Sequence, residues 1–196
     1  TRRKTGMSAM AASFGDDVAV VDVGIAAHVP PVGILDRKVR PGTGNIARED
    51  AMTRTQALAA MAAGMEQAAI ARADGVTALG IGEMGIGNTS TSAAVLAALT
   101  GADIEAVTGR GGGLTDMGFA RKKDVLRRAL ERRTIDKSDV LDVLCAVGGL
   151  DIAAMTGAFL GCAHERIPAA VDGFISVVAA LCAVRLCPAA DDFLFL

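Results

Sequence analysis

Val76-Thr-Ala-Leu-Gly-Ile-Gly-Glu-Met-Gly-Ile-Gly-Asn-Thr-Ser-Thr91 is the stretch on which the reading of the fold turns. An apolar run, Val76 to Leu79, leads into glycines 80, 82, 85 and 87, and a small-residue run, Ser92 to Leu99, follows. That order predicts a strand, a glycine turn and a helix N-terminus. Glycines let the backbone curl and bring its N–H groups close to an anion. A helix start adds about half a positive charge. The two together make a phosphate cradle, so the stretch points to a phosphorylated small molecule.

Two familiar loops nearly fit. Gly82, Gly87, Asn88 and Thr89 have the spacing of a Walker A loop, with Asn88 where the lysine belongs. Without that lysine the β/γ-phosphate contact is lost, which argues against nucleoside triphosphate hydrolysis. Gly80, Gly82 and Gly85 match G-x-G-x-x-G, but the dinucleotide fingerprint also needs an acid at the end of the next strand. The available acids, Asp103 and Glu105, lie at the beginning of the next strand candidate, Ile104 to Val107. Glu83 opposes both readings, because a carboxylate inside a pyrophosphate cradle repels the ligand. It fits if Glu83 faces a part of the substrate that carries no phosphate.

The 196 residues suffice for one substantial core. Apolar residues make up 52% and charged residues 21%, the balance of a globular protein leaning towards burial. A net charge of −2 and the absence of Tyr and Trp exclude a broad nucleic-acid footprint built on basic patches and stacking platforms. The basic stretch Thr1 to Met10 has no apolar core of a secretory signal. The longest apolar run, Phe174 to Val184, is about half the length of a bilayer span and predicts a buried helix. Cys145, Cys162, Cys182 and Cys187 form no C-x-x-C and are expected as reduced core residues of a cytoplasmic protein. His28 and His164 lack ligand spacing, so no metal site is expected.

Elsewhere the pattern predicts strands at Asp17 to Val23, Val76 to Ile81, Ile104 to Val107, Ile167 to Val171 and Asp192 to Leu196. It predicts helices from about Asp50 to Arg72, Asp116 to Arg133, Ser138 to Gly148, Asp151 to His164 and Phe174 to Leu186. His28 to Gly44 reads as a loop, and Asp50 and Thr53 as helix caps. Strands alternating with helices predict an α/β fold with a mainly parallel sheet. Ligands then bind beyond the carboxyl ends of the strands, which selects the loops 80–91, 108–113 and 172–176.

Several strings occur together in one order: Lys38-Val-Arg-Pro-Gly-Thr-Gly-Asn-Ile-Ala, Gly82-Glu-Met-Gly-Ile-Gly-Asn-Thr-Ser, Thr108-Gly-Arg-Gly-Gly-Gly-Leu, Ala120-Arg-Lys, Leu141-Asp-Val-Leu-Cys-Ala-Val-Gly-Gly-Leu-Asp-Ile-Ala-Ala-Met and Val171-Asp-Gly-Phe-Ile-Ser. From Val18 onwards this closely resembles the nicotinate-nucleotide–dimethylbenzimidazole phosphoribosyltransferase family, which builds the lower ligand of cobalamin. The resemblance implies a Rossmann-like α/β fold with helices on both faces of a mainly parallel sheet, a small helical domain largely missing here, and a homodimer. It implies transfer of 5-phosphoribose from nicotinate mononucleotide to a benzimidazole-type base, with inversion at the anomeric carbon. The products are α-ribazole 5′-phosphate and nicotinate, and no cofactor is needed.

On that resemblance Glu83 matches an active-site glutamate that orients the ribose or acceptor or stabilises developing positive charge. Gly85, Gly87, Asn88 and Thr89 are expected to hold the phosphate, with Lys122 supplying the charge that Asn88 does not. Thr108, Gly109, Arg110, Gly111 and Gly112 offer amides for the ribose or the nicotinate carboxylate. Asp172, beside Gly173, is expected to hold ribose hydroxyls, and Ser176 to contact substrate. Taken singly, each has an ordinary alternative. Residues 109–113 read as a surface turn, Arg121-Lys122-Lys123 as a solvated helix face and Asp172-Gly173 as a turn.

The chain is much shorter than that family. A segment N-terminal to it, and a C-terminal segment whose glutamate is the family's proposed general base, have no counterpart in the sequence. One α/β core over residues 1–196, incomplete at both ends, is therefore expected. A truncated, non-catalytic nucleotide- or benzimidazole-binding relative is the alternative. A nicotinamide-dinucleotide oxidoreductase is the third class, opposed by Glu83 and the misplaced acids.

Overall fold

The computed structural model describes residues 6–27 and 33–195. His28, Pro30 and Pro31 of the predicted loop, and Leu196 of the last predicted strand, lie outside the described residues. In chain order the elements are α1 (Gly6–Phe14), β1 (Val21–Asp22), β2 (Leu35–Asp36), α2 (Arg54–Ala73), β3 (Leu79–Ile81) and α3 (Asn88–Thr100). Then come α4 (Ile104–Val107), α5 (Asp116–Glu131), α6 (Val140–Val147), α7 (Leu150–Glu165), β4 (Ala169–Val171) and α8 (Gly173–Leu186). A 3-10 turn, Pro188–Phe193, leads into β5 (Leu194–Phe195).

The described strands make two small sheets, β1-β2 and β3-β4-β5, and every pairing is parallel. This is the mixed α/β arrangement that alternating strands and helices predict. Strands are shorter than the apolar runs suggest: of Asp17 to Val23, only Val21–Asp22 pairs. One element changes class. Ile104 to Val107 is a helix, because Asp103 caps it by accepting the Glu105 amide at 3.0 Å. Glu105 is then held by Arg127 at 2.5 Å and Lys123 at 2.9 Å, both on α5. Four apolar-rich residues do not by themselves separate a strand from a helical turn.

Helices carry most of the core, and one pair dominates. On α2 and α7 glycine faces backbone. A Cβ on Gly64 would run into the Ala154 carbonyl, and one on Gly157 into the Met61 carbonyl. Gly161 faces Ala68 and the backbone of Met65. The helices therefore approach as closely as their main chains allow. Ala57, Ala60, Ala68, Ile152, Ala153 and Phe159, all fully buried, fill the space beside the contact. Thr53 and Gln56 close a capping box at the start of α2, as the sequence predicts for Thr53. Asp50 is no cap: its carboxylate pairs with Arg132 and with Arg133, the latter at 3.1 Å.

Three cysteines sit in the core, where burial pushes the Cys162 thiol up to about 11 and that of Cys182 up to about 12. The fourth, Cys187, is exposed, so the expectation of four core cysteines fails at the end of α8. Helix α8 is likewise less buried than its run of apolar residues suggests: Phe174, Val177 and Leu186 are exposed. Among the described residues no helix is long and apolar enough to cross a membrane.

Candidate active site

β3 delivers the first glycine loop and β4 the third. The register pairs Ile81 with Val171, so the loop that begins at Gly82 leaves the sheet beside Asp172. Ser176 fastens the junction. It is buried, and its hydroxyl donates to the Ile81 carbonyl at 3.1 Å. Its one proton thus serves the join between β3 and α8. Asp172, the N-cap of α8, makes no capping hydrogen bond with its side chain and is exposed, with Gly173 following at φ +84°.

Gly87 is the N-cap of α3 and sits at φ +87°, a conformation that costs glycine nothing and other residues about 1 kcal/mol or more. The left-handed turn swings Asn88 and Thr89 into the first turn of α3, where amides have no acceptor within the helix. Thr89 Oγ1 accepts from Lys122 Nζ at 3.0 Å, and Lys122 also donates to the Gly109 carbonyl at 2.8 Å. One ammonium therefore joins the first glycine loop to the second, although the second follows a helix rather than a strand. Gly111, at φ +64°, lies against both: a Cβ there would stand 2.8 Å from Thr89 Oγ1 and 3.6 Å from Lys122 Nζ. Burial lowers the pKa of Lys122 below the ordinary lysine value. Among the described residues no carboxylate pairs with it. Its neighbour Lys123 is committed to Glu105 and to the face of Phe119. A partly desolvated cation beside unpaired helix-start amides is a site built for an anion.

The remaining residues of the second loop divide. Gly109 supplies the carbonyl to Lys122, and Gly112 is exposed with open space around it. Thr108 is buried and spends both donors on one acceptor. Its hydroxyl reaches the Ile104 carbonyl at 2.6 Å and its amide at 3.1 Å, closing α4. Arg110 is drawn to its own loop, donating to the Leu114 carbonyl at 3.0 Å and to Asp116 at 2.5 Å beside the Phe119 ring. The Thr108 amide, expected to serve the substrate, is thus spent inside α4, and the Arg110 side chain is held within its own loop.

Glu83 is exposed at the mouth of the first loop and accepts a hydrogen bond from Asn88 Nδ2. Asn88 is buried, and the same nitrogen donates to Asp151 Oδ2 at 2.9 Å. Asn88 thus serves carboxylates with its side chain, and only its backbone remains for a phosphate. Asp151 was not among the residues expected at the site. It belongs to the first turn of α7, where Oδ1 accepts the Ile152 amide at 2.9 Å. Gly85 faces Asp151 and Asn88, with no room for a Cβ. The string Gly148-Gly-Leu-Asp151 carried the signal, since an acid just after a glycine pair opens a helix.

The upstream string Lys38-Val-Arg also finds its place. Asp22 is buried at the end of β1, accepts the amides of Gly24 at 2.9 Å and Ile25 at 2.7 Å, and pairs with Lys38 at 3.2 Å. Gly24 lies against Leu150, so this pair of strands abuts the start of α7, next to Asp151.

A phosphoribosyltransferase family model matches residues 1–196. The chain is 47% identical over 191 residues to the nicotinate-nucleotide–dimethylbenzimidazole phosphoribosyltransferase of Clostridium perfringens, covering 97% of this chain and 53% of that one. It is 46% identical to the enzyme of the same name from Geobacter metallireducens, covering 97% of this chain and 54% of that one. A crystal structure of CobT from Thermus thermophilus superposes with TM-score 0.93 at 40% identity, covering 99% of this chain and 58% of that chain. The chain spans about half the length of the curated relatives it matches.

Proposed function

The chain belongs to the phosphoribosyltransferase family of the nicotinate-nucleotide–dimethylbenzimidazole enzymes, and from that membership we propose that its protein transfers 5-phosphoribose from nicotinate mononucleotide to a benzimidazole-type base. In the reaction the bond from the anomeric carbon to the nicotinate nitrogen breaks. A bond to a benzimidazole nitrogen forms with inversion, and the benzimidazole N–H proton leaves to a base. Nicotinate and α-ribazole 5′-phosphate are the products.

The observation that carries this reading is the Lys122 ammonium between Thr89 Oγ1 and the Gly109 carbonyl, at the first turn of α3, where the neighbouring Asn88 holds Glu83. The donor's phosphate would take the amides of α3 and the Lys122 charge. That contact is equally strong before and during reaction, so it supplies binding rather than acceleration. The ribose would then extend towards Glu83 and Asp172, from the two neighbouring strand ends. As nicotinate departs, the anomeric carbon becomes cation-like. A carboxylate already fixed near it stabilises that charge without reorganising, an effect worth roughly 100- to 1,000-fold in rate for a single well-placed group. A homodimer and a cytoplasmic setting accompany the same reading.

The test is nicotinate release by the full-length gene product, given nicotinate mononucleotide and dimethylbenzimidazole. Release that depends on both substrates is expected. Nucleotide binding without release, for any benzimidazole or purine acceptor, would replace catalysis by carriage.

A further inference from the structure

We propose that Asp151 is a positioning residue that acts through Asn88 to hold Glu83 in place. The proposal rests on the phosphoribosyl-transfer reading for its kinetic consequence, though not for its geometry.

Asn88 Nδ2 lies between two carboxylates, donating one hydrogen to Glu83 and the other to Asp151 Oδ2. This fixes which way the amide faces. An amide oxygen in the same position would oppose two anionic acceptors, so only the NH₂ orientation is stable there. Glu83 alone would not lock it, because it is exposed and sits in a glycine loop. Asp151 does, because it is rigid. Its other oxygen is tied to the Ile152 amide at 2.9 Å, and its helix is clamped to α2 by the glycine contact.

The surroundings are shaped for this carboxylate. A Cβ on Gly85 would strike Asp151 Oδ2, and one on Gly149 would strike Oδ1. Neither glycine has positive φ, so the room left for Asp151, and at Gly85 for Asn88 as well, accounts for a glycine at both positions. The relay runs from a core helix, through a buried amide, to the one carboxylate of the first glycine loop. Among the described residues it leaves Oε1 of Glu83 without a hydrogen-bond partner, available to a substrate. Loss of the far end lets Asn88 rotate and Glu83 wander. Misplacement of a reacting group by about 1 Å costs roughly 100-fold in rate.

In the full-length protein, Asp151→Asn keeps the shape. Yet its single oxygen serves either Ile152 or Asn88, not both. We expect kcat to fall about 10- to 100-fold with the donor KM little changed. The distinguishing readout is coupling to Glu83: in a Glu83→Gln background, Asp151→Asn adds little further loss, because its effect passes through the group already altered. Full multiplication of the two losses, or a change confined to KM, would overturn the proposal. A second measurement needs no turnover. Hydrogen exchange at the Asn88 side-chain amide, followed by NMR, is expected to be slow in the wild type and fast in Asp151→Ala. Equal exchange in both proteins would overturn the proposal. A wild type that releases no nicotinate yet shows slow Asn88 exchange would remove the assigned reaction and leave the relay standing.

Discussion

Glycine does opposite work in two parts of this molecule. In the α2–α7 contact, Gly64 and Gly157 lie so close to the facing main chain that a Cβ on either would overlap a carbonyl. At the end of β3 and in the first loop, Gly80, Gly82 and Gly87 have, chain neighbours aside, no heavy atom of the described residues within 4 Å of where a Cβ would stand. The first set is filled by the protein itself. The second is empty, and Gly80 and Gly82 lack even the positive φ that explains Gly87. We propose that the open space beside Gly82 takes the donor. On that proposal the difference separates residues that make the fold from residues that make the site.

The sharpest break of that comparison is Gly157→Val. The new methyls meet the Met61 backbone, which cannot rotate away, so the helices must part. Overpacking of this kind costs about 3 kcal/mol. For a chain of this size each kcal/mol lowers Tm by about 2–4 °C. A melting curve unchanged from wild type would show that the seam yields, and the contrast would collapse. Glu83→Gln should do the reverse: kcat down roughly 100-fold or more, with Tm preserved. A large fall in Tm would place Glu83 with the fold.

Lys122 sharpens the comparison by pH. Burial lowers its pKa, so the folded protein holds this proton less tightly than the unfolded chain does. By linkage, stability from this group rises with pH through the interval between its folded value and the ordinary lysine value. On the proposed reading donor binding runs the other way, because the phosphate would need the charge. We expect kcat/KM for nicotinate mononucleotide to fall on the alkaline side, starting below the ordinary lysine value. Lys122→Arg should carry the fall to higher pH, and Lys122→Ala should raise donor KM about 10-fold or more. An alkaline limb identical in wild type and Lys122→Arg would remove Lys122 from the phosphate.

The contrast also explains how much was legible beforehand. Strand, glycine turn and helix could be read from residues 76–91 because periodicity and glycine are local signals. Capping by Thr53 was local too. Ile104 to Val107 misled because four residues show no period: the Asp103 cap that makes them helical is local, while the Arg127 and Lys123 pairs that hold Glu105 against α5 are not. The side-chain partners of Thr108, Arg110 and Ser176 were not legible in the sequence. Which way a hydroxyl or guanidinium points depends on partners such as the Ile104 carbonyl, Asp116 and the Ile81 carbonyl. Asp151 went unread for the same reason. Its meaning lies in Asn88 and Glu83, which are 63 residues or more away in sequence.

The smallest expected effect is also the most direct probe of the empty glycines. Gly82→Ala adds one methyl at the exit of β3, where no heavy atom lies within 4 Å and φ is not positive. The fold has nothing to lose, and reduced freedom of the unfolded chain even favours alanine by up to about 1 kcal/mol. Tm should hold or rise slightly. If the space belongs to the donor, its KM rises while the Lys122 pH limb stays where it was, because the proposed phosphate contacts lie at the other end of the loop. Unchanged donor KM would mean that Gly82 borders solvent only, and that the reserved room begins beyond Glu83.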